Sequence, residues 1–291
     1  MLPSDPVVDR IREWAARTDA VRVACLTGSR ASGTALLDRF SDYDVIFFLT
    51  DPSTLVADAA WPRVFGRILL DFQDMVKDGD DSYAMHLVLY EDGTKIDFAI
   101  ADVDVMRRMV SAQRLPAMLD AGYEILVDKD GLTARLRPPT HGAYVLRQPA
   151  QHEFGDLVRE FWWETTYVAK QLWREELLPA KHSLDSVVIL DLLRRMLEWR
   201  LAIDRQWQYA PGDLGRGLQA QLDRETWAEF AAAFAGPAIE DNWDALFRTT
   251  RLFRRTAIDV AARAGLSYPR DLDARVTAYL ESVRQAPRKD G

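Results

Sequence analysis

With one cysteine, Cys25, in 291 residues, the chain has nothing to pair it with, and the disulfide framework of a small secreted scaffold is excluded. Cys25 lies inside Val23-Ala24-Cys25-Leu26 and reads as a small core hydrophobe in a reducing compartment. The four histidines, His86, His141, His152 and His182, show no His-Glu-x-x-His or comparable spacing, which removes a histidine-built metal site. No uninterrupted apolar run approaches the roughly 18 residues a membrane-spanning helix needs. The opening MLPSDPVVDRIREWAAR also lacks the basic-then-apolar order of a secretory signal. Basic residues are in deficit: 37 Lys and Arg face 45 Asp and Glu, a formal net charge of -8, which argues against a broad nucleic-acid surface. These absences predict a cytoplasmic protein without nucleic-acid or membrane partners. A small cationic substrate suits it better, although solubility alone selects the same charge.

What is present is a chain that is 48% hydrophobic, long enough for a substantial core in one large domain or two ordinary ones. Val7, Val8, Ile11, Trp14 and Ala15 recur at helical spacing over residues 7–20. The period then shortens. Val21 to Leu26 and Tyr43 to Leu49 read as strands, and Thr27 to Gly33 as the loop that joins them. Arg67 to Phe72 reads as a third strand, and His86–Tyr90 with Thr94–Ile100 as a hairpin across Glu91-Asp92-Gly93. A helix from Asp102 to about Leu119 and a short strand from Glu124 to Val127 follow.

Residues 129–150 have no sustained period and contain Arg-Pro-Pro-Thr-His-Gly, so they read as a connector. Beyond them every segment reads as helix, over 151–177, 184–207, 223–235, 241–264 and 270–285, with Gly236-Pro237 and Gly265 as stops. The expectation is an α+β chain: a mixed-sheet domain at 1–135, a linker at 136–150 and a helical bundle at 151–291.

The chemistry concentrates in the first half. Asp42 and Asp44 flank Tyr43 at the mouth of the apolar run Val45-Ile46-Phe47-Phe48-Leu49. Strand side chains alternate, so the two carboxylates point the same way, about 6.5 to 7 Å apart at their Cα atoms. Two like charges so placed repel unless a cation lies between them. Oxygen ligands with a phosphate-bearing substrate suit Mg²⁺, which takes one or two carboxylates and completes its octahedron with phosphates and water. Ile96, Phe98 and Ile100 share one face of the later strand and leave Asp97 on the other with Lys95 and Ala99. A third carboxylate there is placed to share metals or to take a proton from an attacking hydroxyl. Gly28-Ser29 follows the first strand, where backbone N–H groups are free to meet an anion and glycine lets a phosphate come close. Each motif alone is also what a plain turn or exposed loop shows. Their order and separation are more specific.

That order resembles the nucleotidyltransferase superfamily of the polymerase-β type. The wording of Leu26-Thr27-Gly28-Ser29-Arg30, Asp42-Tyr43-Asp44, Glu91-Asp92-Gly93 with Lys95-Ile96-Asp97, and Glu160-Phe161-Trp162-Trp163 running to Tyr167-Val168-Ala169-Lys170-Gln171-Leu172-Trp173-Arg174-Glu175 resembles the aminoglycoside 6-adenylyltransferases, which modify streptomycin. The resemblance extends to Leu246-Phe247 and Tyr268-Pro269 and covers most of the chain. It implies transfer of AMP from Mg-ATP to an antibiotic hydroxyl with release of pyrophosphate. In that pattern Gly28 and Ser29 hold the triphosphate, Asp42 and Asp44 bind Mg²⁺, and Asp97 is general base, metal ligand or both; Arg30 either contacts phosphate or makes an ion pair.

In the second half, Glu160, Trp163, Tyr167, Lys170 and Arg174 fall on one helical stripe. As a cleft lining it offers Lys170 and Tyr167 to the nucleotide and Glu160, Trp163 and Trp173 to a cationic substrate. Alternatively Phe161, Trp162 and Val168 are the core and the stripe is a solvated face. Two other functions stay open from sequence: the same chemistry on a different acceptor, and a nucleotide-binding protein without catalysis.

Overall fold

The computed structural model describes residues 5–33, 37–78 and 81–287, and the chain separates into two compact units, Met1–Tyr144 and Val145–Gly291. The first is built on a sheet of six strands in the order β3-β4-β5-β2-β1-β6. These are β1 (Val21–Thr27), β2 (Tyr43–Leu49), β3 (Ile68–Asp78), β4 (Asp81–Tyr90), β5 (Lys95–Asp102) and β6 (Glu124–Asp128). β2 and β5 run parallel and every other neighbouring pair is antiparallel.

Helix α1 (Pro6–Arg17) opens with Asp5 capping the amide of Val7 and Pro6 in the first turn, where the missing N–H costs nothing. Its apolar face joins Val45, Phe47, Ile96, Phe98 and Ile100 on one side of the sheet. Trp14, Trp61, Phe47, Phe65 and Phe98 interlock there, with Trp61 and Phe98 centroids 4.7 Å apart. Each such ring contributes about 2–3 kcal/mol through burial. A single helical turn, α2 (Gly28–Ala31), follows β1 where sequence predicts a loop. Helix α3 (Val103–Ser111) packs Val105, Met106 and Met109 on the opposite face with Val23, Cys25, Ile46 and Phe48.

In this unit three boundaries differ most from expectation. The helix after β5 stops at Ser111 because Pro116 lacks an N–H and holds its predecessor out of helical geometry; a short turn, Ala117–Asp120, follows. β3 and β4 extend well past Phe72 and back before His86. Exposed positions such as Phe72, Met75 and Val76 carry no one-sided alternation, so periodicity does not report that pairing.

The two units meet in sequence inside the segment read as a connector, yet its first part is firmly held. The Asp120 carboxylate accepts hydrogen bonds from the amides of Thr140, Gly142 and Ala143 and from the Thr140 hydroxyl. These bonds to the charged form, led by Thr140, lower the Asp120 pKa. Their contribution is therefore present above the usual carboxylate range and lost as pH falls through it. Asp120→Asn is expected to release 138–144, seen as faster tryptic cleavage after Arg135; unchanged cleavage would remove this tether.

The second unit is helical: α4 (Gln151–Trp173), a π-helical segment (His182–Leu193), α5 (Arg194–Asp204), α6 (Arg224–Ala231), α7 (Ile239–Ala264) and α8 (Arg270–Gln285), with shorter turns between. Glu153 reaches back to the Ala150 amide at the start of α4, and Gly265, left-handed at φ 70°, closes α7. Phe161 of α4 stacks on Phe253 of α7 at 3.5 Å between centroids. Trp162, Val168 and Leu172 complete that face of α4 in the core.

Candidate active site

The register of the central strands decides what meets what. Thr27 lies opposite Asp44 across β1 and β2, and Asp44 lies opposite Asp97 across the parallel β2 and β5. Directly opposed residues share a face, so Asp44 and Asp97 emerge side by side at the end of the sheet where β1 finishes and the other two strands begin. Asp42 enters from just ahead of β2. Gly28 sits against the same point. Its φ of +67° suits glycine, and a Cβ built there would stand 2.0 Å from Asp44 Oδ2. The glycine and the carboxylate that the sequence places sixteen residues apart are thus in contact. Behind α2, Gly122 (φ +135°) performs a similar service, since a Cβ there would meet the Ala31 carbonyl oxygen at 2.5 Å.

The electrostatics follow from the crowding. Burial, then Asp97, then Asp42 push the Asp44 pKa up to about 6, with Lys95 opposing them. Lys95 Nζ donates to Asp42 Oδ2 at 2.6 Å and to Asp97 Oδ2 at 2.9 Å. Burial works against the Lys95 charge, but these two partners prevail and raise its pKa. The other Asp97 oxygen, Oδ1, is buried and has no hydrogen-bond partner. Buried carboxylate oxygens are rarely left so, because the lost solvation costs about 1–3 kcal/mol. Among the described residues no three His, Cys, Asp or Glu side chains gather as ligands of one ion. The donor set nevertheless suits a hard divalent cation: charged oxygens, two of them already sharing one cation, and a third held close by register.

Arg30 makes an ion pair, one of the two roles the sequence leaves open to it. Its Nε donates to the Asp42 carbonyl at 3.1 Å and one Nη to the Ser41 carbonyl at 2.8 Å, while the other faces Asp5 at 3.4 Å. The guanidinium also lies 3.7 Å from the Tyr43 ring centroid. Tyr43 donates its hydroxyl to Asp5, and burial with that bond pushes the phenol up to about 12. Arg30 therefore fastens the Asp-x-Asp segment; its planar fork is what reaches two carbonyls at once. Arg30→Lys is expected to cost about 1–3 kcal/mol of stability, the range for hydrogen bonds to a charged group, and to lower kcat more than it raises KM for nucleotide. Urea unfolding and steady-state kinetics check this, and wild-type values in both would contradict it. Ser29 is the second residue of α2, and its carbonyl accepts from the Ser32 hydroxyl.

The family of the chain can be set beside this geometry. The streptomycin adenylyltransferase family model matches residues 1–283, nearly the whole length. The chain belongs to that family. It is therefore a nucleotidyltransferase, and the reading of a fold kept without catalysis is set aside. Among relatives, the aminoglycoside 6-adenylyltransferase of Bacillus subtilis (strain 168) is 26% identical over 287 residues, covering 97% of this chain and 98% of that one. The Campylobacter jejuni aminoglycoside 6-adenylyltransferase is 28% identical over 282 residues, covering 96% and 94%. A crystal structure of an aminoglycoside 6-adenyltransferase from Bacillus subtilis aligns at a TM-score of 0.48 and 24% identity, covering 96% of this chain and 98% of that one.

The helical unit of this nucleotidyltransferase displays the α4 stripe on its surface. Glu160 is exposed, Trp163 is 63% exposed, and its ring meets that of Tyr167 edge-on. Lys170 is half-buried with its Nζ 4.3 Å from the Tyr167 ring centroid. Phe161, Trp162 and Val168 form the core-facing side, as the alternative reading has it. Trp173 packs: its ring rests against the helical core and its indole N–H donates to the Ala286 carbonyl at 3.1 Å. Two residues escape sequence reasoning. Lys95 carries a signal, since alternation already puts it beside Asp97; Asp5, which links α1 to Arg30 and Tyr43, gives none beyond a helix cap.

Proposed function

We propose that the protein transfers AMP from Mg-ATP to a hydroxyl of streptomycin, the 6-hydroxyl by analogy with its relatives, releasing pyrophosphate. The observation that carries this reading is the register that opposes Asp44 to Asp97 with Gly28 pressed against Asp44. The relatives' names, aminoglycoside 6-adenylyltransferase, support the acceptor class. Asp42 and Asp44, with Asp97 through its Oδ2, would hold Mg²⁺, which when bound neutralises charge on the phosphate oxygens. Gly28 offers its amide and Ser29 its hydroxyl to the triphosphate.

Asp97 Oδ1, buried and without a partner, is the base in this reading. It takes the proton as the acceptor oxygen bonds to the α-phosphorus and the bond to the bridging oxygen breaks, so that pyrophosphate leaves with the electron pair. Tyr167 and Lys170 are assigned to the nucleotide, and Glu160 and Trp163 to the cationic acceptor. Burial, then the charge of Glu160 one turn away, raise the pKa of Glu164 on that helix. The reading puts the protein in the cytoplasm, where ATP is available and Cys25, buried with its thiol pushed up to about 12, stays unreactive.

Incubation with ATP labelled at the α-phosphate, Mg²⁺ and a panel of acceptors tests it. Label is expected on streptomycin. Label on another antibiotic, a metabolite or a protein instead would sink the substrate assignment, and no transfer to any aminoglycoside would sink the function.

A further inference from the structure

The ammonium of Lys95 sits where a metal's charge is needed. It reaches one oxygen of Asp42 and one of Asp97, at 2.6 and 2.9 Å, from a side chain that is 38% exposed. Asp42 is equally exposed and Asp97 less so, at 19%. The cation thus lies at the rim of a half-buried anionic pair, on a four-carbon stem with open solvent on one side. Asp97 Oδ1 stays without a partner even with Lys95 in place, so the lysine offsets one of the pair's two charges and leaves an acceptor open.

We infer that Lys95 is a resident counter-cation that competes with the divalent metal for Asp42 and Asp97, and that the metal's entry frees it to meet the phosphates of the incoming nucleotide. This rests on the nucleotidyl-transfer reading above. Its consequence is coupling. A divalent cation arriving alone must displace an ammonium from two carboxylates and leave that ammonium with no anion. A cation arriving with a triphosphate hands the ammonium a new partner, so metal and nucleotide favour each other through one side chain. A lysine that merely braced β5 against the Asp-x-Asp segment has no such effect; its loss would leave metal affinity unchanged or weaker.

The test is Mn²⁺ binding to the full chain, followed by electron paramagnetic resonance, with and without α,β-methylene-ATP. Lys95→Met is expected to bind Mn²⁺ alone about tenfold more tightly than wild type, a modest coupling for a close charge pair. It should also bind the analogue with Mn²⁺ about tenfold more weakly and show little mutual enhancement between the two. Lys95→Arg, which keeps the charge, should bind Mn²⁺ alone as weakly as wild type, and keeps the test open if the methionine variant does not fold. Equal or weaker Mn²⁺ binding by Lys95→Met, or tighter binding by Lys95→Arg, would overturn the inference and leave the transfer reading standing. Failure of wild type to bind Mn²⁺ even with the analogue would overturn both.

Discussion

Replacing Asp44 with asparagine is expected to lower AMP transfer by ~10³-fold or more while making the metal-free protein more stable at neutral pH. Both effects come from the same crowding. Asp44 stands beside Asp97 by register and close to Asp42, and it is half-buried, pressed against Gly28. Its pKa rises from 3.8 to about 6, so the folded state holds a proton more readily than the unfolded chain does. For a carboxyl the sign is unfavourable to folding at high pH: stability is lost as pH climbs from about 4 through about 6, and the loss persists above. An asparagine side chain carries no such charge. With allowance for solvent reaching a partly exposed group, Asp44→Asn should gain about 1–2 kcal/mol at pH 8, a few degrees in melting temperature. The gain should vanish below about pH 4. Melting curves from pH 4 to 8, paired with transfer assays, read both effects. A variant that is active, or one whose stability tracks wild type at every pH, would contradict the account of this carboxylate.

Gly28→Ala is expected to be nearly as damaging by a different route. A methyl at this position would lie 2.0 Å from Asp44 Oδ2 and 2.7 Å from Cγ, on a backbone at φ +67° that alanine resists. Either α2 shifts or the Asp44 carboxylate rotates away, and both undo the opposition with Asp97. The expected cost is about 2–4 kcal/mol of stability, from strain and overpacking together. Transfer should fall by about 10²-fold or more, the scale of an ångström's misplacement. Gly33→Ala separates the causes. Gly33 has a nearly identical φ of +68° but no atom within 4 Å of its would-be Cβ. Its substitution should cost only the left-handed backbone, about 1 kcal/mol, and keep activity. Equal losses in the two variants would show that the contact with Asp44 is unimportant.

How much of this is legible in the sequence depends on whether the deciding force is local. The β2 run and the Ile96, Phe98, Ile100 alternation are one-dimensional signals, and the faces they predict are the faces observed. Asp97 falls in its expected place for that reason. The outer strands β3 and β4 read short because their length is set by pairing, and much of β3 is exposed on both faces. The break after Ser111 is written in Pro116, which the helical period runs past. Among the candidate ligands, Arg30 and Trp173 have residue types that fit the chemistry expected of them. Only three-dimensional contacts with Ser41, Asp42 and Asp5 in one case, and Ala286 in the other, show that their donors are engaged elsewhere. Lys95, two residues from Asp97 and already on its face, is the side chain that bridges Asp42 and Asp97. The acceptor is least legible, because Glu160 and Trp163 lie on an exposed helix face whose composition is also that of an ordinary solvated surface.

The central claim is that Asp42 and Asp44 are one paired ligand for the metal that accompanies the nucleotide. Anomalous diffraction from crystals grown with Mn²⁺ and α,β-methylene-ATP tests it most directly. The account predicts a manganese peak within about 2.5 Å of a carboxylate oxygen from each of the two residues, with phosphate oxygens in the same coordination shell. Manganese bound with the nucleotide but touching neither aspartate would contradict it.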